Sequence, residues 1–315
     1  MREGVTPPWA LILAGGDGTR LRPLTTRVAG DGRPKQFCAL LDGETLVDRT
    51  RRRADRLVRG DRQAVVVTRS HEAFYEPLLR DLAPGRLVVQ PGNRGTAPAI
   101  ACSMLRILDL AGDVPVIVMP SDHYVDDDGA FMACVSSGVD AVRARPELVT
   151  LLGVEPTWPE PEYGWIEPAP MPLPLEGDPV FAIRRFIEKP DSALAQRLYH
   201  RGCLWNSFVM VGWASMFLQL LSETRPALLA ALAPARAALG GRGDAATLAR
   251  VYRSLPCSTG FSEAVLTAAT HRLAVIRVKG VEWSDWGNPR RVVHSLRRAG
   301  LRPAWLDGVE LAEAG

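Results

Sequence analysis

The sequence predicts an α/β fold, a doubly wound mixed sheet with a smaller second lobe and a helical C-terminal part. Three observations carry this. Short, continuous apolar runs alternate with helix-length amphipathic segments through the first half. The first run breaks off into Gly15-Gly16-Asp17-Gly18. The middle of the chain turns proline-rich before strand-like runs return. Apolar runs that are continuous rather than alternating belong to strands buried on both faces, which implies a mostly parallel, Rossmann-like sheet covered by helices above and below. At 315 residues the chain is long for one compact domain, so two lobes are expected, residues 1–155 and 156–300, with 301–315 as a short tail.

In order, the predicted strands of the first half are Ala10–Ala14, Ala64–Val67, Leu87–Gln90, Val114–Met119 and Val149–Gly153. Between them helices are predicted at Thr45–Val58, His71–Asp81, Ala97–Leu110 and Gly129–Ala144. Eight prolines in the 24 residues from Pro156 to Pro179 predict an irregular excursion or lid. Strands return at Ala182–Glu188 and Ser207–Val211, followed by an alanine-rich helical stretch from Pro226 to Arg253. A last strand, Leu273–Val278, and a basic helix, Asn288–Arg298, complete the pattern. Ligands of such sheets bind outside the carboxyl ends of the strands, where Gly15–Arg20 and Pro120-Ser121-Asp122-His123 would both open.

Composition excludes several classes. With 47% hydrophobic and 23% charged residues, it is that of an ordinary globular protein. A net charge of +3 makes no case for nucleic acid as a partner. No run reaches the roughly 18 apolar residues a membrane helix needs. The apolar N-terminal stretch is interrupted by glycine and lacks a cleavage site, so a cytoplasmic location is expected. The five cysteines (38, 102, 134, 203 and 257) show neither metal nor redox spacing and are expected as buried free thiols. None of the five histidines shows metal spacing, and His123 is expected to pack or hydrogen-bond. The acidic run Asp126-Asp127-Asp128 reads as a solvated loop. Only three lysines, Lys35, Lys189 and Lys279, occur among the 38 basic residues, and two of them fall inside motifs.

The glycine stretch carries the chemistry. Glycines allow the backbone to turn tightly and to approach a ligand closely, and successive N–H groups in such a turn form an anion site. Arg20, Arg22 and Lys35 add positive charge, so the stretch suits a polyphosphate. It is not a dinucleotide fingerprint, since Leu21 stands where the third glycine belongs, and no Walker Gly-Lys-Ser/Thr follows. Other residues read two ways by themselves. Asp122, at a strand end, either serves Mg2+ together with substrate phosphates or caps the next helix. Asp285, in Trp283-Ser284-Asp285-Trp286-Gly287, is a metal ligand or a turn aspartate. Glu188 and Lys189 are site residues or a salt-bridged strand end, and Tyr163 is a binding residue or a loop anchor. In Gln90-Pro91-Gly92-Asn93-Arg94-Gly95-Thr96-Ala97-Pro98, Gly and Asn permit close backbone approach, with Thr96 as the expected N-cap of the next helix.

Taken together, Gly15-Gly16-Asp17-Gly18-Thr19-Arg20-Leu21-Arg22-Pro23-Leu24-Thr25 and Pro34-Lys35-Gln36-Phe37 resemble the signature of the sugar-1-phosphate nucleotidyltransferases, and the Lys-Gln-Phe form resembles the mannose-1-phosphate guanylyltransferase branch. The resemblance runs from Trp9 to about Val293 and implies the nucleotide-diphospho-sugar transferase fold. It implies transfer of a nucleotide from GTP, or another NTP, to a sugar 1-phosphate, with Mg2+ held by Asp122 and Asp285, which lie 163 residues apart. Arg20, Lys35, Asp122 and Asp285 are the implied catalytic residues. The nucleotide is implied to lie along Leu13, Ala14, Gly15, Gly16, Gly18, Thr19, Arg20, Gln90, Asn93, Gly95, Thr96, Ala97 and Ser121. Phe186-Ile187-Glu188-Lys189-Pro190 and Leu204-Trp205-Asn206-Ser207 resemble sugar-phosphate elements, which with the Tyr163-Gly164 pair implies a sugar site of Tyr163, Gly164, Glu188, Lys189 and Asn206. Two departures touch this pattern. Phe208 follows Ser207 where such proteins commonly have glycine, and Phe261–Thr267 places Ser262 and Thr267 roughly where acidic residues stand. No further C-terminal catalytic domain is expected, and a homodimer is compatible with the reading. The alternatives are the same chemistry with glucose 1-phosphate and UTP or dTTP, or a silent NDP-sugar-binding regulator.

Overall fold

Nine strands form one mixed sheet in a computed structural model that describes residues 6–306 apart from 84, 237–244 and 256–257. The strands are β1 (Trp9–Leu13), β2 (Gln63–Thr68), β3 (Leu87–Gln90), β4 (Pro115–Pro120), β6 (Val149–Val154), β7 (Gly164–Pro172), β8 (Val180–Glu188), β9 (Leu204–Trp213) and β10 (Leu273–Val278). Two short strands, β5 (Tyr124–Val125) and β11 (Trp283–Ser284), pair separately. The order across the large sheet is β3-β2-β1-β4-β9-β6-β10-β8-β7. The first-half strands β1 to β4 pair in parallel, as their continuous apolar runs require. β9 then enters antiparallel between β4 and β6, and β7 and β8 are antiparallel too, so the sheet is more mixed than mostly parallel. Because β7 also pairs with β9 through Trp165 and Trp205, β9, β6, β10, β8 and β7 close a ring of pairings.

The helices are α1 (Arg22–Ala29), α2 (Leu46–Asp55), α3 (Glu72–Leu79), α4 (Thr96–Ala111), α5 (Asp128–Ala144), α6 (Ser192–His200), α7 (Ala214–Thr224), α8 (Pro226–Leu232), α9 (Ala245–Ser254) and α10 (Pro289–Arg298). Successive side chains of a strand face opposite sides of a sheet, and β1 shows the consequence. Trp9 and Leu11 pack with Ile100, Met104 and Phe217 of α4 and α7, whereas Ala10 packs with Phe131 and Val135 of α5. Ile12 joins Val47 and Tyr75 of α2 and α3. Both faces are covered, as the doubly wound reading expects. Among the described residues no helix is long and apolar enough to cross a membrane.

Four expectations need correction. The proline-rich segment is not irregular throughout, for it contains β7. Pro168, Pro170 and Pro172 are spaced by two, so their missing N–H groups all fall on one side of the strand, which an edge position tolerates. Asp126–Asp128 is not merely solvated: Asp127 caps α5 through Ala130 N at 2.9 Å, Asp128 pairs with the buried Arg53 at 2.5 Å, and Asp126 accepts from Glu282 N at 2.8 Å. The alanine-rich stretch is not one helix, since α8 passes into a short 3-10 turn, Ala233–Ala235, before α9; residues 237–244 lie outside the described set. Cys38, Cys102 and Cys203 are buried free thiols, but Cys134 is partly exposed, and Cys257 lies outside the described residues.

Candidate active site

The small ribbon of β5 and β11 explains how two distant aspartates meet. β5 starts just after Asp122 and β11 ends just before Asp285, and the Ser284–Tyr124 pairing draws both carboxylates to the same end of the sheet. Lys35 fastens them. Its buried ammonium donates to the carbonyls of Asp285 (2.5 Å) and Trp286 (3.0 Å) and pairs with Asp122 Oδ2 at 3.1 Å. All three ammonium hydrogens are thereby committed to protein oxygens. Burial works against the Asp122 charge, but Lys35 and His123 outweigh it and hold the carboxyl below its usual range. His123 itself is pushed down by burial despite Asp122, so its ring is neutral at pH 7 and packs edge-on against Trp283. Asp285 accepts from the Tyr163 hydroxyl at 3.2 Å and from Gly287 N at 2.8 Å, a turn aspartate and a site carboxylate together. Burial raises the Tyr163 hydroxyl, which keeps it a donor.

At the end of β1 the glycine loop is held from below. Gln36 Nε2 donates to the carbonyls of Ala14 (3.1 Å) and Gly16 (2.7 Å), and Thr68 Oγ1 donates to that of Gly15. A Cβ on Gly15 would come within 2.9 Å of Gln90 Nε2 and 3.1 Å of Thr68 Oγ1 and would have to displace the end of the Gln90 side chain, whereas a Cβ on Gly16 would meet open space. Asp17 reaches across to Asn93 Nδ2 at 2.9 Å, which links the glycine loop to the Gln90–Pro98 loop. The Ser121 hydroxyl donates to Leu13 O. Arg20 is exposed, 3.8 Å from Glu162.

The second-half residues converge on one point. A Cβ on Gly164 would lie 2.9 Å from Glu188 Oε2 and 3.3 Å from Asn206 Cβ. Burial raises the Glu188 carboxyl, opposed by Lys189 at 3.6 Å and reinforced by the nearby charge of Glu263. Four described non-glycine residues have positive φ, and three border this site: Lys189 (46°), Phe208 (60°) and Trp286 (47°). They stand beside Glu188, Asn206 and Asp285 respectively. Strained backbone of this kind persists only where its surroundings enforce it, and it clusters at functional sites.

A cavity of about 450 Å³ gathers these groups. Among the predicted residues, Leu13, Gly15, Gly16, Arg20, Gln90, Asn93, Gly95, Thr96, Ser121, Asp122, Tyr163, Gly164, Glu188, Lys189, Asn206 and Asp285 line it. Gly18, Thr19 and Lys35 line an adjoining hollow of about 320 Å³, shared with Arg20 and Asp122. Ala14 and Ala97 line neither. Both are buried, and their N–H groups donate to Val66 O and Thr259 O. Thr96 is not an N-cap: Gly95 holds that position, and the Thr96 hydroxyl accepts from Phe261 N at 2.7 Å.

The cavity also contains what the sequence did not single out. Gln36 is one such residue, and its place in the Lys-Gln-Phe motif was the available signal. Arg291 is another, buried and not itself lining the cavity but in contact with residues that do. It contacts Glu160 (3.1 Å), Glu162 (2.8 Å) and Asp285 (3.0 Å), with its guanidinium 4.9 Å from the centre of the Tyr163 ring. Among the described residues no cluster of three or more potential metal ligands occurs. Two carboxylates lining one cavity still suit Mg2+, which uses one or two carboxylates and completes its shell with water and substrate phosphates. The arrangement can therefore neutralise a polyphosphate at one end and hold a hydroxyl-rich group at the other.

Comparison with known proteins agrees with this geometry. The chain matches the family described as Nucleotidyl transferase over residues 9–297. The Xanthan biosynthesis protein XanB of Xanthomonas campestris pv. campestris (strain B100) is 35% identical over 238 residues, 75% of this chain and 48% of the relative. A mannose-1-phosphate guanylyltransferase of Sinorhizobium fredii is 33% identical over 284 residues, 88% of this chain and 52% of the relative. The chain thus spans about half the length of the curated relatives it matches. A solved structure from Thermus thermophilus, named mannose-1-phosphate geranyltransferase, superposes with a TM-score of 0.77 at 31% identity, covering 94% of this chain and 80% of that one.

Proposed function

The chain belongs to the nucleotidyl transferase family, and from that premise we propose that it makes an NDP-sugar and pyrophosphate from an NTP and a sugar 1-phosphate, with GTP and mannose 1-phosphate as its pair. One observation carries this: a single cavity joins the glycine loop, the Asp122–Asp285 pair and the Glu188–Lys189–Asn206 cluster. The guanosine and mannose assignment draws support from the relative of that name and from the Lys-Gln-Phe motif. Residues 1–155 form the nucleotide half and 156–300 the sugar half in this reading.

In the reaction a phosphate oxygen of the sugar 1-phosphate attacks the α-phosphorus. A new P–O bond forms as the bond to the β-phosphate oxygen breaks, and pyrophosphate departs. The nucleophile is already anionic near neutral pH, so no general base is required. What remains for the protein is positioning and charge neutralisation. Asp122 and Asp285 would hold Mg2+, which when bound neutralises charge on the reacting phosphates as a Lewis acid. Arg20, exposed and loosely tied to Glu162, would follow the triphosphate. Lys35, with every ammonium hydrogen in use, sets the spacing of the two aspartate loops rather than touching phosphate. Lys189 would meet the sugar phosphate, and Glu188 and Asn206 the sugar hydroxyls.

The test is pyrophosphate release by Asp122→Asn and Asp285→Asn at saturating Mg2+. Each is expected to lose roughly a hundredfold or more in rate. Near-normal turnover by either would remove that residue from the metal site.

A further inference from the structure

Phe208 occupies a conformation that a phenylalanine rarely takes. Its φ of 60° lies in the left-handed region, inside a strand. The cause is a local break in pairing: the register between β6 and β9 shifts between Leu151 and Gly153, and the Ser207 hydroxyl is drawn to Leu152 O at 2.6 Å. At this break the Phe208 N–H donates to Asn206 Oδ1 at 3.1 Å. That bond holds the amide of Asn206, itself a cavity-lining residue, from its oxygen. The Phe208 ring, half-buried, packs against the main core on one side and lines the cavity on the other.

Ser262 lines the same cavity, within a single π-helical turn, Ser262–Leu266. Such turns are rare and occur frequently at functional sites. Its neighbour Glu263 lies near enough to Glu188 for their charges to interact, which places this turn at the Glu188–Asn206 end. Two of the three positions where the sequence departs from the pattern it resembles, Phe208 and Ser262, therefore border one space. Thr267, the third, is turned away from it, exposed and bonded to Glu263 O.

We propose that Phe208 is a specificity-determining residue: its ring, with the short Ser262 beside it, forms the wall that selects the sugar 1-phosphate by size, and its strained backbone fixes the Asn206 amide that faces that sugar. This rests on the proposed transferase reading. The substrate class is an unsubstituted hexose 1-phosphate, and the excluded class is a hexose 1-phosphate with a bulky substituent such as a 2-acetamido group. A glycine would relieve the strain, so a phenylalanine here is retained against a conformational cost.

The experiment compares Phe208→Ala, Phe208→Gly and Phe208→Leu with the unaltered protein. Mannose 1-phosphate and N-acetylglucosamine 1-phosphate are the probes, read by pyrophosphate release and by direct binding in saturation-transfer NMR. Loss of the ring in the Ala and Gly variants is expected to lower the preference for the unsubstituted sugar about tenfold or more, the scale of a pocket-size change. Nucleotide KM should move less than about threefold, and Leu should keep most of the preference. Gly should melt above Ala, since the two differ in their tolerance of positive φ. A preference unchanged within about twofold in both Ala and Gly would reduce Phe208 to a packing residue and overturn the proposal. If the unaltered protein released no pyrophosphate, the transferase reading would fail alone, because the binding ratios would still decide the role of Phe208. If it bound neither sugar phosphate, both would fall.

Discussion

The ammonium of Lys35 stands 3.1 Å from Oδ2 of Asp122, buried, on a 3-10 turn more than eighty residues before its partner. The same ammonium donates to the carbonyls of Asp285 and Trp286, so one side chain fixes the distance between two loops. Lys35→Met is expected to destabilise the protein by about 3 kcal/mol, the scale for removing one partner of a buried pair. Pyrophosphate release should fall with it. Lys35→Arg should not restore either property, since a planar fork cannot reach three acceptors arranged around a point charge. Urea unfolding and a turnover assay on both variants check this.

Arg291 pairs with Asp285, Glu160 and Glu162 together. Arg291→Met leaves three carboxylates without their shared cation, and a loss of about 3 kcal/mol or more is expected in denaturant unfolding. Arg291→Lys keeps the charge but loses the fork, and its stability should fall between that of Arg291→Met and the unaltered protein.

Glu188 is the group whose pH dependence is informative. Burial raises its carboxyl, Lys189 opposes this and Glu263 reinforces it. A raised acid stabilises the fold only while protonated, below its unfolded value, and that contribution is lost as pH rises through the folded value. At pH 7 it is gone. Glu188→Gln is therefore expected to melt higher than the unaltered protein at pH 7, with the difference vanishing toward pH 4. Sugar 1-phosphate KM should rise roughly 10- to 100-fold, the worth of a charged hydrogen bond. Thermal melts across pH, with kinetics at pH 7, test both halves.

Gly95 has φ 88°, and a Cβ there would drive into the backbone of Thr259. Gly95→Ala should destabilise by roughly 2 kcal/mol or more. It should weaken nucleotide binding more than sugar-phosphate binding, because Ala97 N and Thr259 N tie the loop to the same segment. Calorimetric titration with each ligand separates the two.

Much of the first half was legible because its signals are local. A buried parallel strand is a continuous apolar run, and the glycine loop follows β1 directly. Asp122 stood out at a predicted strand end and Asp285 within a compact Trp-Ser-Asp-Trp-Gly motif, and the structure brings both to one cavity. What the sequence concealed depends on distant partners. No local pattern reveals that β9 inserts between β4 and β6. Arg291 looks like one charge of a basic helix until Glu160 and Glu162, some 130 residues earlier, are seen against it. β7 was masked by prolines, whose spacing of two was itself the overlooked strand signal. Ala14 and Ala97 sit within binding motifs, yet their N–H groups are spent on the fold.

The most direct measurement is pyrophosphate release with Mg2+, pairing GTP, UTP, dTTP, ATP and CTP each with mannose 1-phosphate and glucose 1-phosphate. Turnover confined to GTP with mannose 1-phosphate is the predicted result. Turnover with a different pair would contradict the substrate assignment, and no release with any pair, from folded protein that binds an NDP-sugar, would contradict the enzymatic role itself.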